Sequence, residues 1–302
     1  MLELIIIATF IGLLVLFIRK RKKMVGLEDA IMQSHKLDNW GITADYCLRN
    51  GISEKRMDKC INEILHRLAE QGDIMAMRYM AVHAGSSEKE CMWYTRCAEA
   101  GDKDAMYWLG LKYSSTVNAA GGAGGYGSNP ELSFYWFNQA ANRRHSAAME
   151  RVASCHYFGQ GVEKNEEEAF RIAQHFWERG NSECGLFLTS IFYQNPTSEK
   201  YDIPRAITIL ERIMIRGEKK MYTEAASSLG HIFGAPFMHP GIPVRDYHDC
   251  RKAAYCFALA FVAGDSLSDV MAQNIAKTGY NYTDHEFAQW YSDAKNYRYN
   301  PM

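Results

Sequence analysis

Small, apolar and polar residues recur with a helical period along most of the chain. In six segments a Ser, Thr, Asn or Asp is followed at offsets 4, 7 and 11 by residues that are almost all small or apolar. The first residues of these segments are Ser86, Asn129, Asn165, Asp202, Asp249 and Thr283. The three offsets share one face of a helix, and such residues cap helix N-termini. The pattern therefore predicts six amphipathic helices that begin there, with Glu90 as the one departure on the apolar face.

Another helix is predicted in front of these helices. We call it the first helix of a pair and the capped helix the second. AEQGDIMAM at residues 69–77 returns as AEAGDKDAM at residues 98–106, and similar junctions recur around positions 144, 180, 217 and 264. The marker residue of these junctions is Gly except at position 144, which is Arg. Two amphipathic helices cannot bury their apolar faces alone, so the pairs must stack. We predict an all-α, right-handed α-solenoid of about six helix pairs.

The N-terminus has a different pattern. Residues 4–18 carry no charge, and residues 19–23 read Arg-Lys-Arg-Lys-Lys. Counted from Leu2, the stretch is 17 residues long, which is the short end of the roughly 17–25 residues that span a bilayer. A cleaved signal peptide would have its basic residues first and a small-x-small site afterwards. We therefore predict a transmembrane anchor over residues 1–18 and a basic juxtamembrane segment over 19–26, with the body on the cytoplasmic side of the inner membrane.

Residues 148–180 resemble a Sel1-like repeat, a helix-pair unit close to the tetratricopeptide class. They carry Val152-Ala153, the loop Gly159-Gln160-Gly161-Val162 and Ala169, with His156 where the family has Tyr and Asn165 where it has Asp. Residues 105–144 resemble the same unit less completely. The resemblance implies a repeat array over residues 70–265, with N-terminal capping helices at 27–69 and a C-terminal capping helix pair and tail at 266–302.

Charge and cysteine content narrow the possible functions. From Met24 onward the chain has 29 basic and 34 acidic residues. A mildly acidic body is a poor match for nucleic acid, where phosphate contacts supply most of the affinity. The eight cysteines show no CxxC spacing, which favours reduced, buried thiols in a reducing compartment. We expect no nucleic-acid partner.

No set of residues predicts catalysis. In His248-Asp249-Cys250 the middle residue is already explained as a helix cap, and Cys155-His156 is better explained by packing. No HExxH motif provides a zinc site. Residues 114–128 contain five glycines but no GK[ST], which favours a mobile loop over a phosphate-binding loop. We therefore expect no enzyme activity, metal, cofactor or small-molecule substrate.

Two regions could bind a protein partner. In arrays that resemble this one, first helices line the concave surface, and we predict a groove there formed by Arg78, Tyr107, Lys112 and Arg151. Aromatic and Arg residues are enriched at binding hot spots, although core packing accounts for Tyr107 equally well. The proline-rich residues 234–245 form either a rigid protrusion that exposes Phe237 and Met238 to a partner, or a long connection between helices.

The resemblance and the predicted N-terminal anchor together imply a membrane-held, non-enzymatic scaffold. Some bacterial Sel1-like proteins resemble immunity proteins that neutralise a secreted toxin such as a lipase effector, and others resemble adaptors in envelope assembly, secretion or signalling. Both roles require a protein partner. A β-lactamase-like enzyme is the competing class, but such arrays pair their cysteines within each unit, and this chain does not. Quality-control adaptors of eukaryotic type carry more repeats and a signal peptide.

Overall fold

A computed structural model describes residues 2–114, 128–216, 219–238, 249–268 and 270. The regular structure in these ranges is helical and includes no β-strand, which confirms the all-α prediction. The chain divides into two compact units, residues 1–128 (unit 1) and residues 129–302 (unit 2), and each is described by itself.

Unit 1 is built from helices that pack against their neighbours in sequence. The described helices are α1 Leu2–Leu37, α2 Gly41–Asn50, α3 Glu54–Glu70, α4 Ile74–Val82, α5 Ser87–Glu99 and α6 Lys103–Tyr113. The connections from α3 to α6 are three or four residues long, and α3 packs on α4, α4 on α5 and α5 on α6. In the repeat frame, α4 and α6 are first helices and α5 is a second helix.

Unit 2 continues the same alternation. Its described helices are α7 Pro130–Asn142, α8 Ser146–Phe158, α9 Glu166–Glu178, α10 Ser182–Phe187, α11 Ile203–Arg216, α12 Lys219–Met238 and α13 Cys250–Ala263; a π-helical turn, Leu188–Tyr193, extends α10. The first helix α10 contacts both of the other first helices, α8 and α12, in addition to its own partners. Helix pairs are therefore stacked within this unit.

The predicted caps are confirmed wherever the structure describes them. Each side-chain oxygen accepts the backbone amide three residues on, at distances of 2.9–3.4 Å; the capping residues are Ser86, Asn129, Asn165, Asp202 and Asp249. Thr283 lies outside the described residues. Capping satisfies one of the amides that a helix start leaves without a partner, so these residues fix where the second helices begin.

The buried face of the second helices follows the predicted offsets, except that in two helices the buried aromatic residue lies one position further along. Trp93 is buried as predicted, but Trp136 is only half-buried and its neighbour Phe137 takes the core position. In α9 the buried aromatic is likewise Trp177 rather than Phe176. Residues three and four beyond a buried position both flank the same helical stripe, so spacing alone could not choose between them.

The junctions between helices have a shared backbone conformation. Gly72, Gly101, Gly180 and Gly264 all have positive φ, between 93° and 120°. The following residue caps the next helix: Asp73, Asp102 and Asn181 each accept a backbone amide through the side chain. We did not predict these caps, although the recurring Gly-Asp pairs carry the signal for them.

Arg144 occupies the same junction position without being glycine, and its φ is 59°. A side chain in the left-handed region costs roughly 1–2 kcal/mol, and glycine avoids this cost. Part of the gain is lost again, because glycine loses more conformational entropy on folding. We expect Arg144→Gly to raise the free energy of unfolding by about 0.5–1 kcal/mol in urea denaturation. Arg143→Gly is the control, because Arg143 has a φ of −95° and should only lose stability. An equal or lower stability for Arg144→Gly would contradict this account of the junction.

The N-terminal helix α1 continues without a break through the basic run. Leu27 and Ile31 are fully buried in unit 1, and Gly26 leaves room for Tyr46, whose hydroxyl donates to the carbonyl of Lys23 at 3.1 Å. In the part of the chain that the structure describes, no helix combines the length and the apolar character needed to cross a membrane. The predicted anchor over residues 1–18 is therefore not supported.

The structure describes only parts of the glycine-rich segment, the proline-rich segment and the C-terminal region. Helix α12 continues through Pro236 to Met238, so residues 234–238 of the proline-rich segment are helical. Because Pro236 lies in the last turn, its missing amide costs the helix a single hydrogen bond close to its end. Residues 239–248, residues 115–127 of the glycine-rich segment and residues 271–302 lie outside the described residues.

Candidate partner-binding surface

The outward side of α4 combines two exposed apolar residues with an arginine. Met75 is 49% exposed, the side chain of Arg78 is 43% exposed and Val82 is 67% exposed. Their spacing of three and four residues places them on one side of the helix. Together with Tyr107, Trp108 and Lys112 on α6, we call these residues the first-helix surface of unit 1.

Arg78 is held in place by the start of α6. Its guanidinium donates to both carboxylate oxygens of Asp102, and Nη2 also donates to Asp104 at 2.8 Å. The Asp102 side chain is 2% exposed. Burial acts to raise the pKa of Asp102, but Arg78 and the amides of Asp104 and Ala105 outweigh it, so that the pKa is lowered. The ion pair joins one first helix to the next.

The α6 part of the surface is a stack of aromatic and charged groups. Trp108 stacks on Tyr94 of α5 with ring centroids 3.8 Å apart, and the Nζ atom of Lys112 lies 4.6 Å from the Trp108 centroid. Lys112 also pairs with Glu90 at 3.6 Å. Glu90 is the residue that departs from the apolar pattern of the second helices, and this ion pair accounts for its charge.

The first helices of unit 2 bring three glutamates near one another. Glu150 of α8 is close enough to Glu183 of α10 and Glu224 of α12 for both to affect its ionisation. Burial is the main cause that raises the pKa of Glu150, and the nearby Arg151 opposes it. Arg151 Nε lies 3.6 Å from Glu150 Oε2, and Ser146 Oγ donates to Glu183 at 2.5 Å.

The four residues of the predicted groove are divided between the two units. Arg78, Tyr107 and Lys112 lie on the first helices of unit 1, whereas Arg151 belongs to unit 2. All three cationic residues have an acidic partner within their own unit. We had not predicted Trp108, although its place beside Tyr107 on a first helix is visible in the sequence. The side chains of Phe237 and Met238 lie outside the described residues.

The buried thiols and His156 are packed into the helix pairs. Cysteines 47, 60, 91, 97, 155, 184 and 256 are free thiols, and burial raises the pKa of Cys97 and Cys155 to about 11 and of Cys256 to about 12. These three thiols are protonated at neutral pH and are poor nucleophiles. His156 packs edge-on against Phe134 with centroids 5.5 Å apart. Over the described ranges, no group of three or more His, Cys, Asp and Glu residues could hold a metal ion.

Comparison with known proteins finds a sequence match in the middle of the chain. The sequence model described as Sel1 repeat matches residues 103–145 and 146–174. These ranges span α6 to α9 and contain the Gly-Gln-Gly-Val loop. Curated proteins give no match to the chain.

Two solved structures share the fold. The structure of a Sel1 repeat protein from Oxalobacter formigenes aligns with a TM-score of 0.55 at 19% identity, over 91% of this chain and 99% of that one. A protective antigen present in uropathogenic Escherichia coli strains, which displays an SLR fold, aligns with a TM-score of 0.53 at 18% identity. That alignment covers 81% of this chain but 49% of the antigen, so the chain spans about half of the antigen's length. At these identities the likeness concerns the fold.

Proposed function

Starting from the Sel1 repeats of this chain, we propose that the protein is a non-enzymatic scaffold that binds a partner protein through the first-helix surface of unit 1. Sel1 repeat proteins generally mediate protein–protein interaction. The observation that supports this surface most strongly is the exposed row of Met75, Arg78 and Val82 on α4, whose Arg78 is bound to the start of α6, the helix that carries the aromatic stack.

Several side chains of this surface are held in place before a partner binds, which favours binding. Arg78 is fixed by two carboxylates and Trp108 by stacking on Tyr94, so neither loses much rotamer freedom when a partner docks. Immobilising a flexible side chain typically costs roughly 0.5–1.5 kcal/mol at an interface, and preorganised groups avoid most of that cost. Met75 and Val82 add apolar area whose burial favours association.

A charge placed on this surface tests the proposal. We expect Val82→Glu to weaken capture of the partner at least tenfold, because it buries an unpaired carboxylate in the interface. The control is Met92→Glu on the second helix α5, where Met92 is 47% exposed. Both variants should keep the melting temperature, since both positions are exposed. The measurement is quantitative affinity purification of tagged full-length protein from cells. Equal capture by the two variants would refute the assignment of the surface.

The two roles suggested by the sequence differ in what the partner does. Toxin neutralisation and a general adaptor role would use the same surface, and their difference lies in the captured protein. Co-expression of that protein with wild type or Val82→Glu separates them. Growth arrest relieved by wild type alone supports an immunity role, and growth without arrest supports an adaptor.

We also propose that the N-terminal part of α1 attaches the scaffold to the inner membrane with the repeats in the cytoplasm. The support is the uncharged run at residues 4–18 followed by the basic residues 19–23. We expect the full chain to stay in the membrane pellet after alkaline carbonate extraction, and a chain without residues 2–18 to be released. Release of the full chain by carbonate, or digestion of the repeats by protease added to spheroplasts, would contradict this proposal.

A further inference from the structure

The basic residues of α1 surround the helix on every side. All five side chains, at positions 19–23, are exposed. Successive residues of an α-helix are about 100° apart, so five in a row complete a full turn. We call this band, residues 19–23, the basic collar.

The height of the collar matches a lipid headgroup layer. Five helical residues rise by about 7 Å. Each headgroup layer of a bilayer is roughly 5–7 Å thick, from the difference between its total and hydrocarbon thickness. A helix that lies flat on a membrane carries its cations along one face instead. The distribution of charge therefore fits a helix that passes end-on through a headgroup layer.

The collar is held against unit 1 at its C-terminal residue, Lys23. Lys23 Nζ donates to the carbonyl of Asn50 at 2.9 Å, and the Tyr46 hydroxyl holds the Lys23 carbonyl. On the same helix, Arg21 and Lys22 line a shallow groove together with Ile18 and Val25. Two cations flanked by two apolar residues suit the phosphate and the glycerol backbone of one phospholipid.

We propose that residues 19–22 bind the headgroups of anionic phospholipids. This inference deepens the membrane attachment proposed above and concerns which lipids the chain selects. Charge complementarity supports this proposal. Basic residues close to an anionic membrane surface are attracted to it, whereas the acidic body beyond Met24 is not. The chain would thus hold the repeats close to the membrane while their own net negative charge keeps them from lying on it.

The test compares vesicles of different charge. Full-length protein is floated with phosphatidylcholine vesicles that contain or lack phosphatidylglycerol. We expect wild type to bind the anionic vesicles at least tenfold more tightly, and added salt to reduce this preference. A variant with Gln at each of residues 19–22 should lose at least tenfold of the preference. The matched control carries Gln at four exposed basic positions of α3, which are 55, 56, 59 and 67.

Four outcomes would overturn the inference: equal binding of wild type to both vesicles, an equal loss in the α3 control, release by inorganic phosphate at matched ionic strength, or tighter binding to duplex DNA than to the vesicles. If the collar variant does not fold, the vesicle and salt series on wild type decide the matter alone. Carbonate resistance without a lipid preference would refute this inference and leave the anchor standing.

Discussion

Replacing Gly161 with alanine should lower the free energy of unfolding by about 2–5 kcal/mol, measured by urea denaturation of the full chain. Gly161 has a φ of 71°, and a Cβ atom there would lie 1.9 Å from the carbonyl oxygen of Pro130. The left-handed conformation costs a side chain roughly 1–2 kcal/mol, and overpacking adds typically 1–3 kcal/mol. The contact is with backbone at the start of α7, so no side chain can rotate away.

Gly159 is the control for this substitution. It lies in the same loop with a φ of 70°, but the nearest atom to its Cβ would be Lys164 Cβ at 3.2 Å. We expect Gly159→Ala to cost about 1–2 kcal/mol, from its conformation alone. Equal effects of the two substitutions would show that contact with Pro130 is unimportant. A larger effect at Gly161 would support a role for the Gly-x-Gly loop in closing one helix pair against the previous one.

Asp102→Ala should lower the free energy of unfolding by about 3 kcal/mol. The substitution removes the cap of α6, worth about 1 kcal/mol, and the charged hydrogen bonds from Arg78, worth roughly 1.5–3 kcal/mol. Asp104→Ala is the control, because Asp104 also accepts from Arg78 but its side chain is 53% exposed. It should cost less than about 1 kcal/mol. Comparable losses in the two variants would contradict the central place given to Asp102.

The same carboxylate makes the stability depend on pH. Because the folded protein lowers the pKa of Asp102, its contribution is complete above the unfolded value and is lost as the pH falls through the folded one. The unfolded value is about 3.9. We therefore expect wild type to be more stable than Asp102→Asn at neutral pH and the two to converge below about pH 4. A constant difference over that range would argue against an ionised Asp102.

Local features of the fold could be predicted from the sequence, and contacts between distant residues could not. The caps at Ser86, Asn129 and Asn165 depend on the three residues that follow each one, so the pattern contains them. The role of Arg78 depends on the start of α6, 24 residues further on. We predicted a cation open to a partner, whereas packing turns Arg78 into a link between two first helices that remains partly exposed.

The surface was harder to predict than the core for a related reason. Spacing showed that Trp93 is buried, because an apolar stripe must face the neighbouring helix. It could not show that Trp108 stacks on Tyr94 or that Lys112 covers the ring, because those contacts need the distance between α5 and α6. The charge of Glu90 was visible as a departure, and its meaning became clear only with Lys112 beside it.

We propose that the first helices, and not the second helices, meet the partner. Met75 of α4 and Met92 of α5 are almost equally exposed, at 49% and 47%. A photoreactive phenylalanine derivative placed at each position in full-length protein compares the two surfaces under the same conditions in living cells. We expect one discrete crosslinked protein from position 75 and none from position 92. A crosslink from position 92 alone would contradict this proposal.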